Sequence, residues 1–266
     1  MFQQPFDFRD ESDALHTLLE PLSDADFERN TQFKGWSVHD VVAHLHMWNW
    51  AADLALRDAG EFQTFWNDLA AGFAKGRTFV QLTDAWLDGA RNRKVLDLWR
   101  AFYPEMTDRF AAADPKARVP WAGPDMSVRS SITARLMETW AHGQEVYDLL
   151  GVERVNADRI RNIAILGMNT FSWTFVNRQL EAPAPVPHVR LEAPSGAVWE
   201  WNAEVESDLV EGSATEFCQV VTQVRNVADT KLRVTGDVAR RWMSIAQCFA
   251  GLASDPPAPA SRFTIR

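Results

Sequence analysis

Residues 37–57 read SVHDVVAHLHMWNWAADLALR. Apolar side chains recur at Val41, Leu45, Trp48, Ala52 and Leu56, three or four residues apart, which is the period of a helix with one buried face. Ser37 stands at the N-cap position, with Asp40 three residues on, close to a capping box. The stretch therefore predicts a long helix from Val38 to about Arg57. His44 lies on the stripe of Val41, Trp48 and Ala51 and points inward, whereas His46, about 200° further round, does not share its direction.

The same period extends on both sides. Phe8, Leu15, Leu18, Leu19 and Leu22 predict a helix over 8–22. Further helices are expected from about Phe62 to Ala74, with a possible continuation to Gly89, and from Arg93 to Ala113, where Pro115 stops the run. RVPWAGPDM (118–126) reads as a loop, because proline and glycine punctuate it. Ser127 opens a helix to Leu150, with Gly151 fitting a position just past its end, and another helix spans about Ala157 to Leu180.

The pattern changes after EAPAPVP (181–187), a stiff proline-rich connector. Residues 188–192 and 197–201 alternate around Pro194-Ser195-Gly196 and predict a hairpin, with a third strand at 207–211. Ser213 to Glu216 has the form of a capping box for a helix through Val224. A strand at Lys231–Thr235 and a helix from Val238 to Phe249 follow, and ASDPPAPASR (253–262) has the composition of disorder. The fold class expected is mainly α: a helical bundle over 1–180, a small α+β domain over 186–252 and a disordered tail over 253–266.

Composition narrows the function. Of 266 residues, 46% are hydrophobic and 24% charged, the balance of a chain that buries a sizeable core. The net charge of −9 argues against nucleic acid and against an anionic membrane surface, both of which call for a basic face. Two cysteines, Cys218 and Cys248, allow at most one disulfide and no cysteine zinc site. MFQQPFDFRDESDALH at the start lacks the basic and apolar regions of a secretory signal, so the cytoplasm is the expected compartment. Twelve tryptophans stand against two tyrosines, which calls for aromatic-rich cores, aromatic-walled pockets, or both.

Of the six histidines, His44 and His142 sit in settings that suggest ligation. Glu138 precedes His142 by four residues, so both project from one helical face. Such a pair can hold a cation with a third ligand from a neighbouring helix, for which His44 is the candidate. Two imidazoles and a carboxylate form a catalytic zinc set, and also the facial triad of non-haem iron(II). A buried Glu–His pair can equally be a hydrogen-bonded feature of a core. Arg135, one turn before Glu138, could orient its carboxylate as an outer-sphere partner. Glu145, three residues after His142, is the candidate base, and Trp48 the candidate pocket wall.

GWSVHDVVAHL (35–45), followed by RLMETWAHGQEVYDLLG (135–151), resembles the DinB-type, mycothiol-dependent maleylpyruvate isomerase-like superfamily. VPWAGPDMSVRS, RLMETWAHGQEV, FCQVVTQ and IAQCFAG carry a closer resemblance to a group of uncharacterised metal-binding proteins of actinobacterial type within it, over nearly the whole chain. The resemblance implies an up-down four-helix bundle around a divalent metal, with His44, Glu138 and His142 matching the family's ligands. It implies zinc, with iron(II), nickel and manganese as alternatives, and a thiol cofactor such as mycothiol activated at the metal. It also implies a sterol-carrier-like C-terminal domain whose arginine binds a substrate carboxylate. Arg225, Arg240 and Arg241 are the candidates for that arginine, Arg241 foremost.

The function expected is a divalent-metal-dependent enzyme that activates a low-molecular-weight thiol for isomerisation or S-transfer on a small unsaturated substrate. The alternatives are a metal-dependent hydrolase or lyase using metal-bound water, and a non-catalytic metal or small-molecule binding protein. A small-molecule substrate is expected, with no nucleic-acid or membrane partner.

Overall fold

The computed structural model describes Phe2 to Ile265; Met1 and Arg266, which the expected domain limits include, lie outside the described residues. The chain is mainly helical with a small sheet region and divides into two compact units, Met1–Leu149 and Leu150–Arg266. No helix of the described residues is long and apolar enough to cross a membrane.

The first unit is built on α1 (Gln4–Leu19), α3 (Val38–Arg57), α6 (Arg93–Ala112) and α7 (Val128–Leu150). Between them lie α2 (Asp24–Phe27), α4 (Ala59–Ala74) and α5 (Phe79–Trp86). α6 packs against both α1 and α3. Their apolar stripes meet in a core that includes Phe8, Leu15, Leu45, Leu96, Trp99, Tyr103, Met106 and Phe110, all fully buried. A polar clamp joins α3 to α6: the carboxylate of Asp53 accepts from Arg109 Nε at 2.6 Å and from Arg57 Nε at 2.7 Å. Arg129, near the start of α7, donates to Gln4 of α1 at 3.2 Å.

Two local expectations change in this unit. The helix from Phe62 does not continue to Gly89, because Gly76 takes φ +78° and Thr78 caps a new helix with Gln81 in a capping box. The stretch 118–126 is a hairpin rather than a loop: β1 (Arg118–Trp121) pairs antiparallel with β2 (Gly123–Ser127), and a register shift between Val119 and Trp121 accommodates Pro120.

The second unit holds α8 (Arg161–Asn169), α9 (Phe171–Val176), β3 (His188–Glu192), β4 (Val198–Trp201), β5 (Leu209–Ser213), α10 (Ala214–Val221), β6 (Arg233–Thr235) and α11 (Asp237–Ile245). Its sheet has the order β4-β3-β5-β6, with β3 parallel to β5 and the other pairs antiparallel. The sequence places the boundary near residue 180. The compact unit begins at Leu150 instead, because α8 packs on α10 and α9 on α11. The expected helix over 157–180 is broken at Thr170 into α8 and α9. Ser213 begins α10 without a side-chain cap, and Glu216 accepts from the Lys231 backbone N–H at 3.1 Å rather than closing a box. Neither cysteine forms a disulfide, and both are buried.

Residues 253–265 do not stand off as the disordered tail their composition predicts. Gln223 Nε2 donates to Ser254 O at 2.6 Å, Asn226 Nδ2 to Pro257 O at 2.8 Å, and Arg262 Nη1 to Gln223 O at 2.9 Å. Two carbonyls of the stretch are thus satisfied by side chains of the unit, and one of its side chains satisfies the Gln223 carbonyl in return.

Candidate metal centre

The site is built from α3 and α7. Ser37 Oγ accepts from the Asp40 N–H at 3.1 Å, and Asp40 Oδ2 accepts from the Ser37 N–H at 2.8 Å. This capping box fixes where α3 begins, and His44 follows two turns later. α7 presents Glu138 and His142 from one face.

The three side chains meet. His44 Nε2 lies 3.0 Å from Glu138 Oε2, and His142 Nε2 lies 3.2 Å from the same oxygen. The ligand atoms of the three all lie within 4.8 Å of one another. Edges of a tetrahedron with bonds of about 2.1 Å measure roughly 3.4 Å, so a cation of zinc size fits between these donors. All three side chains are largely but incompletely buried, which leaves an approach open. Among the described residues, His44 Nδ1 and His142 Nδ1 have no hydrogen-bond partner, so the rings are held by packing and by the shared carboxylate.

Protonation suits ligation. Burial pushes the pKa of His44 down to about 4, outweighing its hydrogen bond to Glu138, and the ring is neutral at pH 7. Burial alone would push the Glu138 carboxyl up; hydrogen bonds from His142 and His44 outweigh it and hold the group well below its usual range. A neutral imidazole and an ionised carboxylate are the forms a divalent cation binds.

Aromatic rings wall the trio. Trp36 stacks on His142 at 5.6 Å and on Phe79 at 5.7 Å. Phe33 meets His142 edge-on at 4.9 Å, and Phe79 lies 5.1 Å from His44. Trp48 lies 6.5 Å from His44 and 5.3 Å from Trp121, which stacks on Phe62 at 5.8 Å. Trp48, the candidate pocket wall, therefore stands beside the trio, with Trp36 and Trp121 gathered near it. Phe33 and Phe79 were not singled out; Phe79 opens α5 directly after the Thr78 cap, and that capping signal is the one that could have placed it.

Arg135 is 4% exposed, but no hydrogen bond joins it to Glu138; the two interact only through their charges. Its guanidinium lies over the Trp121 ring, 5.2 Å from the centroid. Glu145 is buried one turn past His142 rather than exposed on a helix surface. In the second unit, Arg241 is exposed on α11, Arg240 pairs with Asp237 at 3.6 Å, and Arg225 is buried.

The remaining histidines of α3 stay apart from the trio. His46 packs on Trp86 and Phe102, and His39 Nδ1 accepts from the Asn92 N–H at 3.1 Å. Among the described residues one other trio brings three potential ligand atoms within 4.8 Å: His39, Asp40 and Asp84. There Asp40 is committed to the capping box, and Asp84 pairs with the Arg91 guanidinium at 3.9 Å.

The family model described as the mycothiol maleylpyruvate isomerase N-terminal domain matches residues 8–147, which include His44, Glu138 and His142. Uncharacterised proteins from two strains of Mycobacterium tuberculosis are each 36% identical over 245 residues, covering 92% of this chain and 94% of theirs. Two solved structures share the fold: the mycothiol-dependent maleylpyruvate isomerase, with a TM-score of 0.53, and a histidine-to-alanine mutant of it, at 0.54. Each is 12% identical, and each alignment covers 82% of this chain and 87% of the other.

Proposed function

The chain belongs to the mycothiol maleylpyruvate isomerase N-terminal domain family, and on that premise we propose that it is a divalent-metal-dependent enzyme that uses a low-molecular-weight thiol, mycothiol or a relative, for isomerisation or S-transfer on a small unsaturated substrate. What carries the reading is the convergence of His44 Nε2 and His142 Nε2 on Glu138 Oε2. Zinc suits two imidazoles and one carboxylate, and three protein ligands leave positions free for other groups. A divalent cation there would lower the pKa of a coordinated thiol, making the thiolate available at neutral pH without a cysteine of the protein.

The chain's own residues do the rest. Two ligands on successive turns of α7 and one on α3 hold the donor set rigidly. Trp36, Phe79 and Trp48 keep water from the ligands and offer flat apolar surfaces to an unsaturated substrate. Glu145, buried one turn past His142, is the candidate to hold a proton during turnover. The same reading takes the long helices of the first unit as a DinB-like four-helix bundle, the second unit as a sterol-carrier-like domain, and the cytoplasm as the compartment.

The test is turnover by the zinc-loaded protein on activated alkenes, maleylpyruvate included, with and without mycothiol. Activity that requires the thiol supports the proposal. Equal activity without thiol contradicts it and favours a hydrolase or lyase that uses water. No activity in either case, with metal bound, favours a binding protein.

A further inference from the structure

One face of α7 carries Ser131, Arg135, Glu138 and His142, at steps of four, three and four residues. Glu138 and His142 belong to the metal centre, and the first two residues have no such employment. Arg135 is 4% exposed, yet among the described residues neither its Nε nor its Nη1 has a hydrogen-bond partner. Ser131 is 1% exposed and its Oγ is likewise unpartnered. Buried donors left unpaired are costly, and a buried cation more so, which is why such groups in a folded chain point to a missing ligand.

The surroundings say what kind of ligand. The guanidinium lies over the Trp121 ring, and Trp121 leads through Trp48 to His44. The charge acting on Arg135 is that of Glu138, with no hydrogen bond between them. A divalent cation held by Glu138 and the two imidazoles takes up that carboxylate's charge, so Arg135 is left without an anion. Three residues of helix, about 4.5 Å along the axis, separate it from Glu138, a span that one small molecule bridges.

We propose that Arg135, assisted by the Ser131 hydroxyl, is the group that receives the substrate's carboxylate and so turns its reactive carbon toward the metal. A guanidinium is the side chain that best matches a carboxylate in a dry site. This rests on the metal-site reading above. It assigns recognition of the acid group to the helical unit, independently of any arginine of the second unit.

Benzoate and benzamide serve as probes, because they share a flat body and differ in charge. Their binding to the zinc-loaded protein is followed by tryptophan fluorescence without thiol, with zinc content measured on the same samples. Wild type is expected to bind benzoate at least tenfold more tightly than benzamide. Arg135→Met is expected to lose that preference through weaker benzoate binding, to keep stoichiometric zinc, and to melt no lower than wild type without ligand. Arg135→Lys should retain part of the preference. Equal affinities in wild type, or wild-type benzoate affinity in Arg135→Met, would overturn the proposal. An Arg135→Met protein that is unfolded or melts well below wild type would overturn it too, by making Arg135 a structural cation. Absence of zinc from wild type would count against the metal reading instead, while the two probes still decide on Arg135.

Discussion

His44 and His46 are two residues apart on α3 and serve different ends. Burial pushes both pKa values down to about 4, but His44 faces a carboxylate and His46 faces Trp86 and Phe102. The unfolded chain takes up the His46 proton below about pH 6.5, the folded chain only below about 4. The stability this neutral ring contributes is therefore complete above pH 6.5 and is lost as pH falls toward 4, by at most about 3 kcal/mol. His46→Gln is expected to flatten the acid limb of urea stability between those pH values; an unchanged slope would contradict the assignment. His46→Ala and His39→Ala should each destabilise the protein while leaving its metal content intact. Spacing made this division legible: one residue on the inward stripe and one off it. The role of Arg135 was less legible. A residue one turn before Glu138 invites a hydrogen bond in the reading of a helix, and only the placement of Trp121 shows the guanidinium turned onto an indole.

At the scale of elements, α3 is held by its cap and by the Asp53 clamp to α6. Both arginines of the clamp reach solvent, so removing the carboxylate frees them rather than burying an orphaned charge. Asp53→Ala is therefore expected to cost about 2 kcal/mol by urea denaturation, and a change below about 0.5 kcal/mol would show that the clamp contributes nothing. Long helices were legible because their periodicity runs over several turns and their caps lie in the sequence, as at Ser37 and Asp40. Short elements were not. Pro120 and Gly123 suggest a loop, but pairing of Arg118 with Ser127 makes a hairpin that brings Trp121 to the site wall. Ser213 and Glu216 have the spacing of a capping box, yet Glu216 serves Lys231 instead. In both places a partner beyond the few residues of the motif decides the outcome.

At the scale of the molecule, the two units each bury a core, and the boundary between them was the hardest feature to place. Helical periodicity runs on past Leu150, and nothing in it says that α8 and α9 pack with α10 and α11 rather than with the helices before them. The ligand trio belongs wholly to the first unit, so metal binding should stabilise that unit by linkage. With metal at about 100 times its Kd, the gain is about 2.7 kcal/mol, and chelation is expected to lower the Tm by roughly 5–10 °C, reversibly on adding zinc back. A melting curve indifferent to chelation would contradict a cation bound by the folded state. The most direct test is elemental analysis of the purified wild type beside His44→Ala, Glu138→Ala and His142→Ala. The account predicts one divalent metal per chain in wild type and loss of it in each variant; stoichiometric metal in any of the three, or none in wild type, would contradict it.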